Sequence, residues 1–349
     1  MPSILYLVTE DWFFVSHFLP MARAARAAGL EVIVATRVGK HGERIASEGF
    51  ELVPMPVKRW SFGALDSLRY IRRVAELIRV RQPDIVHCIA LKPVTLGGLG
   101  ARLAGAKALV LAPTGLGELW SSKSPGTRLA REAVRRIVGS LLRGPRTRYL
   151  FENADDPGEF GLALHGPQVS LVPGAGVDPR HFPMLPQPPA PPVKIAVVAR
   201  MIAPKGIAEA VEATRRARAL GGALELDLYG EADPSDPRAI PQATLRAWSR
   251  EPGIRWQGST NDVPGVWRDH HIALFLSSYR EGLPRTLVEA AASGRPIVTT
   301  DMPGCRDVVR DGTEGFLVAP GDVEAAARAL VRLASSPSLR AQLGAAAHT

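Results

Sequence analysis

The sequence predicts an α/β protein with two doubly wound parallel sheets. Short apolar runs alternate with helical patterns in both halves of the 349 residues, as in repeated strand–helix–strand units. Many of these runs are apolar at consecutive positions, which is typical of strands buried on both faces of a sheet. A Pro-rich stretch, PMLPQPPAPP at 183–192, separates the halves, because no helix or strand continues through it.

The predicted strands are short and soon meet Gly, Pro or a charge, as strands in such sheets do. The first half contains ILYLVT (4–9), EVIVAT (31–36), FELVPM (50–55), DIVHCIA (84–90), ALVLAP (108–113), RYLFEN (148–153) and VSLVPG (169–174). The second half contains VKIAVVA (193–199), LELDLYG (224–230), IRWQG (254–258), IALFLSS (272–278), PIVTTD (296–301) and GFLVAP (315–320).

Helical stretches lie between several of these strands. Examples are PMARAARAAG (20–29), LRYIRRVAELIRVR (68–81), IAEAVEATRRARALG (207–221), PRTLVEAAASG (284–294) and DVEAAARALVRLA (322–334). Gly29, Gly221 and Gly294 are well placed to stop their helices. We therefore predict domains at 1–180 and 193–349, joined by a linker at 181–192. Ligands of open α/β sheets bind beyond the carboxyl ends of the strands, so two such domains would face each other across a binding cleft.

Composition and motif content exclude several classes of protein. Cys88 and Cys305 are too few and too isolated for a disulfide scaffold or a Cys-rich zinc module. The N-terminus lacks the features of a signal peptide, and no apolar run approaches the ~20 residues of a spanning helix. The first strand is followed by EDWFFVSH, not by a dinucleotide-binding glycine pattern. We expect a cytoplasmic protein that is soluble or peripheral on a membrane.

The net charge of +9 is concentrated in the first half. Residues 1–170 hold 23 Lys and Arg against 15 Asp and Glu, whereas residues 171–349 hold 20 against 19. The excess concentrates in two stretches, which contain Lys58, Arg59, Arg69, Arg72, Arg73, Arg79 and Arg81, and Lys123, Arg128, Arg131, Arg135, Arg136, Arg143, Arg146 and Arg148.

The second stretch has the pattern of a basic amphipathic helix. Its apolar members repeat at helical spacing, with most basic residues on other faces: Leu129, Ala133, Ile137 and Leu141 against Arg128, Arg131, Arg135 and Arg136. Such a face can bind anionic headgroups, at about 1 kcal/mol per basic residue. A solvated helix face explains the pattern equally well. Nucleic acid is disfavoured, because no recognised binding motif accompanies the charge and aromatic residues make up only 6%.

Two motifs in the second half indicate possible ligand-binding or catalytic residues. Arg200 and Lys205-Gly206 follow the strand VKIAVVA, where two cations could clamp a diphosphate; ordinary surface cations are the alternative. Glu281 and Glu289 follow the strand IALFLSS, and Pro284 between them suits the first position of a helix. The backbone N–H groups of 282–285 would then face an anion. Glu289 suits a sugar diol, although both carboxylates could be ordinary surface groups.

The order of these motifs along the chain resembles the GT-B glycosyltransferases of family 4, from residue 3 to about 335. One subgroup is similar in its further motifs, TEDWFFVSHFLPMA (9–22), PDIVHCIALKP (83–93), PTGLGELW (113–120), FENADD (151–156), SYREGLPRTLVEA (278–290) and TDMPGCRDVV (300–309). That subgroup resembles bacterial enzymes that add a hexose or N-acetylhexosamine to an undecaprenyl-diphosphate-linked sugar.

The resemblance implies roles for the motif residues. Arg200 and Lys205 match the diphosphate clamp, Glu281 the carboxylate near the donor sugar, and Glu289 the ribose contact. Further donor-binding residues would be Gly282, Leu283, Pro284 and Arg285. The family retains anomeric configuration and needs no metal or other cofactor, and the sequence has no Asp-x-Asp pair at a strand end. Retention is usually explained by front-face attack, with the donor's own phosphate accepting the proton.

The first half departs from the common family pattern. EDWFFVSH replaces a Gly-Gly after the first strand, and Thr114 stands where many members have a His before Gly in the fifth-strand loop, so no role of that His is carried over. His17, Lys92 and Thr114 are predicted acceptor-side residues, because they lie in strand-to-helix loops. His17 could instead cap the helix near Pro20, and His87 is predicted to be a packed strand residue.

The sequence therefore predicts a metal-independent, retaining transferase on the inner face of the cytoplasmic membrane. Its predicted partners are a UDP-sugar donor, with GalNAc favoured, a polyprenyl-diphosphate-linked acceptor and an anionic membrane surface. Two alternatives stay open at this point. One is a GT-B enzyme with a soluble acceptor, or a nucleotide-sugar epimerase. The other is a UDP-sugar-binding protein without turnover.

Overall fold

The structure, a computed structural model, describes residues 1–55, 63–122, 124–234 and 236–349. The chain divides into two compact units, Met1–Ala175 and Gly176–Thr349. Three members of the predicted basic stretches, Lys58, Arg59 and Lys123, lie outside the described residues.

The first unit is built on a parallel sheet. Its strands are β1 (Ser3–Glu10), β2 (Glu31–Arg37), β3 (Glu51–Pro54), β4 (Ile85–Ile89), β5 (Leu109–Ala112), β6 (Thr147–Phe151) and β7 (Val169–Leu171). In the described residues they pair in the order β3-β2-β1-β4-β5-β6-β7. The helices are α1 (Asp11–Phe13), α2 (Leu19–Ala27), α3 (Gly42–Ser47), α4 (Ala64–Arg81), α5 (Gly98–Leu103), α6 (Gly117–Ser121), α7 (Pro125–Arg136) and α8 (Asp156–Glu159). Wider π-helical turns occupy Phe14–Phe18, Pro93–Gly97 and Ile137–Leu141.

The second unit repeats this plan. Its strands are β8 (Val193–Val198), β9 (Leu224–Tyr229), β10 (Ile254–Gly258), β11 (Ile272–Phe275), β12 (Ile297–Thr300) and β13 (Gly315–Val318). Over the described ranges they form a parallel sheet in the order β10-β9-β8-β11-β12-β13. The helices are α9 (Ile207–Ala219), α10 (Gln242–Trp248), α11 (Val263–Asp269), α12 (Arg285–Ala292), α13 (Val323–Ser335) and α14 (Pro337–His348). A short 3₁₀ turn, Ala203–Lys205, precedes α9.

Both faces of each sheet are covered, which explains why the strands are apolar at consecutive positions. In β1, Leu5 and Leu7 pack into one hydrophobic core, while Ile4 and Tyr6 pack into a second core on the other face. Each predicted strand overlaps one of the strands observed here. The α/β prediction with two doubly wound parallel sheets is confirmed.

Each sheet has one point where the strand order reverses. In the first unit it lies between β1 and β4, and in the second between β8 and β11. Loops leaving the carboxyl ends of the two strands turn to opposite faces there and leave a crevice, where open α/β sheets bind ligands. The Arg200–Gly206 and Ser277–Glu281 segments follow β8 and β11, so the fold brings them to one such crevice.

The Pro-rich segment predicted as a linker packs on the second unit. The buried Arg295 side chain donates from Nη2 to the Pro186 carbonyl at 2.8 Å. His271 accepts the Lys194 backbone N–H at Nδ1, so its Nε2 carries the proton and donates to the Pro188 carbonyl at 3.0 Å. These donors satisfy carbonyls that a Pro-rich segment cannot pair in a helix or strand. The second compact unit, Gly176–Thr349, includes this segment.

Candidate functional site

The loop after β8 holds Arg200 and Lys205 in a fixed turn. Ile202 forms an antiparallel bridge with Ala239, and the 3₁₀ turn Ala203–Lys205 follows it. Gly206 then adopts a φ of +72°, and a Cβ there would lie 2.0 Å from the Leu276 carbonyl oxygen. Only glycine fits this position, because both the dihedral angle and the close approach exclude a side chain. The start of α9 is thereby pressed against the end of β11.

Lys205 pairs with Glu281 across the two loops. Lys205 Nζ lies 2.7 Å from Glu281 Oε1, and the two side chains are only 14% and 11% exposed. Ser277 Oγ donates to the same carboxylate oxygen at 2.9 Å. The ammonium also lies 5.1 Å from the centre of the Phe275 ring, within the range of a cation–π contact. The predicted clamp lysine and the predicted sugar-side carboxylate are thus direct neighbours.

Arg200 is held by an aspartate that sequence reasoning missed. Arg200 Nη1 lies 3.3 Å from Oδ2 of Asp236, whose side chain has no exposed surface. Arg238 binds the same carboxylate through Nε and Nη2, at 2.9 Å each. Burial opposes ionisation of Asp236, but the hydrogen bonds from Arg238 outweigh burial and lower its pKa.

The only signal for this pair in the sequence was an Asp-x-Arg spacing in the loop after β9. That spacing is common in loops and matches no motif, so it carried no prediction. The antiparallel bridge between Ile202 and Ala239 brings the two loops together.

Glu289 lies one helical turn into α12 and is paired with Arg285. Arg285 Nε is 2.8 Å from Glu289 Oε1, and the glutamate side chain is 8% exposed. Burial raises the pKa of Glu289 to about 7, and the nearby Arg285 charge opposes that rise only in part. The structure also corrects one detail of the prediction. Pro284 is the residue before the first helical position, because α12 begins at Arg285.

A third loop, after β12, fixes the backbone around Glu281. Gly304 adopts a φ of +86°, and a Cβ there would lie 2.4 Å from the Gly282 carbonyl oxygen. Thr300 Oγ1 donates to the Ser277 carbonyl at 2.5 Å. Gly282 and Pro284 are buried and Leu283 is half-buried, so this backbone is packed on its inner side.

The predicted donor residues of the second unit therefore follow the carboxyl ends of two neighbouring strands, β8 and β11. Their ion pairs are Lys205–Glu281, Arg285–Glu289 and the pair of Arg200 with Asp236, which also binds Arg238. Cations here can bind a diphosphate, and an ionised carboxylate can accept two hydroxyls of a sugar. The arrangement suits a nucleotide-sugar.

The predicted acceptor-side residues lie in the first unit. Lys92 follows β4 at the reversal point, and Thr114 follows the neighbouring β5. Burial lowers the pKa of Lys92, although the carboxylates of Asp66 and Glu10 act in the opposite direction. Just before it, Ala90 adopts a φ of +69°. Such backbone strain in a residue other than glycine is often found at binding sites.

The two histidines of this unit differ in accessibility. His17 is half-buried in the first π-helical turn, where it stacks on Phe13 with ring centres 4.4 Å apart. It lies inside the helical segment and therefore does not cap it. His87 is buried in β4, 5.2 Å from the Tyr6 ring centre, and burial lowers its pKa to about 4. It is a packed strand residue, as predicted.

The basic helix α7 is oriented differently from the prediction. Arg131 donates to the Leu119 and Ser122 carbonyls at 3.1 and 2.8 Å, and Arg135 pairs with Glu159. Both arginines are half-buried, and they donate hydrogen bonds to other groups of the first unit. The side chains of α7 that point to solvent include Leu129, which is 76% exposed, with Ala133, Arg128, Arg136 and Glu132, and Glu132 pairs with Arg136. In the π-helical turn that follows, Leu141 is 52% exposed. Of the four arginines predicted to face the membrane, Arg128 and Arg136 are exposed, whereas Arg131 and Arg135 are half-buried.

Two kinds of feature are absent from the described residues. In the ranges that the structure covers, no three or more His, Cys, Asp or Glu residues are grouped as a metal site would require. No helix among these residues is both long and apolar enough to cross a membrane.

Comparison with known proteins covers most of the chain. Residues 3–143 match the family model "Glycosyl transferase 4-like", and residues 192–336 match "Glycosyl transferases group 1". The Bacillus subtilis protein EpsD, a glycosyltransferase by its name, is 25% identical over 98% of this chain and 90% of its own length.

More distant relatives agree. A Campylobacter jejuni N,N'-diacetylbacillosaminyl-diphospho-undecaprenol alpha-1,3-N-acetylgalactosaminyltransferase is 21% identical over 86% of this chain and 81% of its own. The crystal structure of Anabaena HepE in complex with UDP and glucose superposes with a TM-score of 0.75. It is 16% identical and covers 100% of this chain and 94% of its own, so it shows the shared fold. With glycosyltransferase models matching both halves, the chain belongs to the GT-B-type glycosyltransferases, with a 4-like domain followed by a group 1 domain.

Proposed function

We propose that the protein is a retaining, metal-independent glycosyltransferase that uses a UDP-sugar. It moves a hexose or N-acetylhexosamine, with GalNAc favoured, to a sugar carried on undecaprenyl diphosphate in bacterial glycan assembly. The observation that carries the proposal is the cluster of Arg200, Lys205 and Glu281 at the strand-order reversal of the second unit. The name of the Campylobacter jejuni relative supports the donor sugar and the lipid carrier, and the UDP bound to HepE supports the nucleotide.

When the donor binds, its diphosphate and ribose replace the internal partners of the charged side chains. Its diphosphate takes the ammonium of Lys205, which otherwise neutralises Glu281, and the outward donors of Arg200. Its ribose hydroxyls take Glu289, which otherwise pairs with Arg285. Each of these cations and carboxylates thus has an internal partner that the donor replaces. Because Arg200 and Arg238 share Asp236, one positive charge is in excess, which favours an anionic ligand.

Transfer follows from this arrangement. The acceptor hydroxyl oxygen bonds to the anomeric carbon on the face from which UDP leaves, so configuration is retained. The bond from that carbon to the β-phosphate oxygen breaks, its electron pair leaves with UDP, and a phosphate oxygen takes the hydroxyl proton. Arg200 and Lys205 stabilise the negative charge that grows on UDP, so the proposal assigns charge neutralisation to side chains and not to a metal. Glu281 lies beside the donor sugar. His17, Lys92 and Thr114 contact the acceptor.

The membrane surface is assigned to the exposed face of α7. Leu129 and Ala133, with Leu141 in the π-helical turn that follows, present apolar surface. Arg128 and Arg136 flank it as cations, and Arg136 is paired with the exposed Glu132. Apolar side chains between exposed cations are the composition of a helix that lies in an anionic lipid interface. We place the protein at the inner face of the cytoplasmic membrane, where a lipid-linked acceptor is carried.

The decisive experiment measures UDP release over a panel of UDP-sugars. Each donor is tested with and without a short polyprenyl-diphosphate-N-acetylhexosamine. We expect acceptor-dependent release with UDP-GalNAc and a loss of about 10²–10³-fold in kcat for Lys205→Ala, because one group that stabilises the leaving charge is removed. Lys194→Ala, in the preceding strand, is the matched control and should stay active. Release with no donor in the panel, or full activity of Lys205→Ala, contradicts the proposal.

The membrane assignment is tested separately by sedimentation with vesicles that contain phosphatidylglycerol. Leu129→Ser should lower partitioning by about 20- to 30-fold, because burying one leucine contributes about 2 kcal/mol. Leu220→Ser is the control, since Leu220 is also an exposed leucine (61%) but lies in the second unit. Equal sedimentation of Leu129→Ser and the unchanged protein would rule out this face of α7.

A further inference from the structure

We propose that Asp236 is a positioning residue for the donor diphosphate. It aligns Arg200 directly and fixes Tyr279 beside Lys205 through Arg238. The inference rests on the proposed function, because the ligand concerned is the diphosphate of the donor. It concerns residues outside the Arg-Lys and Glu-Glu motifs, in a loop that no motif marks.

Asp236 binds its two arginines unequally. Arg238 is bound in the bidentate manner, and its own backbone N–H adds a third bond to Asp236 Oδ1 at 3.0 Å. Arg200 makes one long contact of 3.3 Å and keeps a third of its side chain exposed. A guanidinium has five N–H donors, so Arg200 retains donors for an anion while Arg238 is committed to the protein.

Arg238 and Lys205, the lysine of the predicted diphosphate clamp, lie near the same tyrosine ring. The Arg238 guanidinium carbon lies 5.6 Å from the centre of the Tyr279 ring, and Lys205 Nζ lies 6.0 Å from the same ring. The Tyr279 backbone N–H donates to Ser277 Oγ, which in turn donates to Glu281. Asp236 therefore contacts Arg200 directly and is connected through Arg238 to the Tyr279 ring beside Lys205, whose ammonium Glu281 also holds.

Charge and position predict opposite results for Asp236→Asn, which makes the inference testable. The substitution removes a negative charge beside Arg200, so charge alone predicts tighter binding of an anion. Loss of the bidentate acceptor for Arg238 frees two arginines and the Tyr279 ring to rearrange, so positioning predicts weaker binding. Donors act well only when they are held at the place where the charge lies.

The experiment uses the full chain and three probes, which are UDP, inorganic pyrophosphate and uridine. Their affinities are measured by calorimetry for the unchanged protein, Asp236→Asn and Asp227→Asn. Asp227 is the matched control, because it is also buried and also holds an arginine through two contacts, to Arg255 at 2.8 and 3.3 Å. We expect Asp236→Asn to bind UDP and pyrophosphate at least tenfold more weakly, with uridine affinity changed less than twofold. Asp227→Asn should bind all three normally.

Several outcomes overturn the inference. These are unchanged or tighter pyrophosphate binding by Asp236→Asn, an equal loss for uridine and UDP, and an equal loss in Asp227→Asn. If Asp236→Asn does not fold, Tyr279→Leu takes its place, with an expected loss of at least threefold for pyrophosphate and none for uridine. If the unchanged protein binds pyrophosphate but not UDP, the proposed donor is wrong. The pyrophosphate affinities of the unchanged protein and the variants then still test the role of Asp236. An unchanged protein that binds neither overturns both proposals.

Discussion

The Lys205–Glu281 pair gives the sharpest test of the electrostatic energetics of this site. Glu281→Gln keeps the shape of the side chain and removes its charge, which leaves the 14%-exposed Lys205 without its carboxylate at 2.7 Å. Breaking a buried pair from one side costs about 3–5 kcal/mol, because the remaining charge is poorly solvated. Residual exposure and the nearby Phe275 ring reduce this cost, so we expect about 3 kcal/mol.

The same variant should respond more strongly to UDP. In the unchanged protein the diphosphate competes with Glu281 for Lys205, whereas in Glu281→Gln it meets an unpaired ammonium. We expect UDP to bind about tenfold more tightly, which at saturating UDP restores about 1.4 kcal/mol of the lost stability. Turnover should nevertheless fall, because the variant lacks the carboxylate that we propose lies beside the donor sugar.

The assay is urea unfolding of the full chain with and without UDP. With a slope of about 2 kcal/mol per M, the midpoint should fall by about 1.5 M without UDP. Glu212→Gln is the control, because Glu212 pairs with Arg216 at 2.8 Å where both side chains are about 40% exposed. Such surface pairs contribute at most about 1 kcal/mol.

A double-mutant cycle with Lys205→Met completes this test. Removing both partners leaves no unpaired charge, so the double variant should be more stable than the sum of the two single changes by about 2 kcal/mol. Additive changes, or weaker UDP binding by Glu281→Gln, would refute the reasoning.

Three further predictions follow from single positions. In urea unfolding, Gly206→Ala should lower the free energy of unfolding by more than the about 1–3 kcal/mol of backbone strain alone, because its Cβ would lie 2.0 Å from a carbonyl oxygen. Gly221→Ala is the control, because Gly221 has a φ of +93° but open space around it, so only the backbone strain should lower its stability. The Glu289 pKa of about 7 lies above its ordinary 4.5, so its contribution of about 3 kcal/mol is full below pH 4.5 and lost as pH rises through 7. Stability of Glu289→Gln should lack that pH dependence, and an unaltered profile contradicts the assignment. Gly304→Ala should reduce kcat by displacing the Glu281 loop, whereas Gly312→Ala, with no atom within 4 Å, should not; equal kcat values would exclude this role.

Local sequence predicted most of the fold. Strands buried on both faces must be apolar at each position, so β1 and β8 were visible without any knowledge of their neighbours. The order of strands in each sheet was not visible, yet the reversal between β8 and β11 is what brings Arg200 and Lys205 to Glu281. The motif residues were found because each motif is contiguous in the chain.

Orientation and long-range pairing could not be predicted in this way. Helical spacing distinguished the faces of α7 but did not indicate which face packs on the rest of the unit. In the structure, Arg131 binds the Leu119 carbonyl and Arg135 pairs with Glu159. The contact of Asp236 with Arg200 spans 36 residues and depends on a bridge between two loops.

The sequence by itself determined the two α/β domains and the glycosyltransferase family, and it predicted the cations and carboxylates of the proposed donor site. These properties depend on local apolar patterns and on residue types at short spacing. The tertiary structure alone decided which charges neutralise one another, which aspartate holds Arg200, and which side of α7 is exposed. The physical reason is that ion pairing and burial depend on distances in space, and those distances are set by sheet order and loop packing.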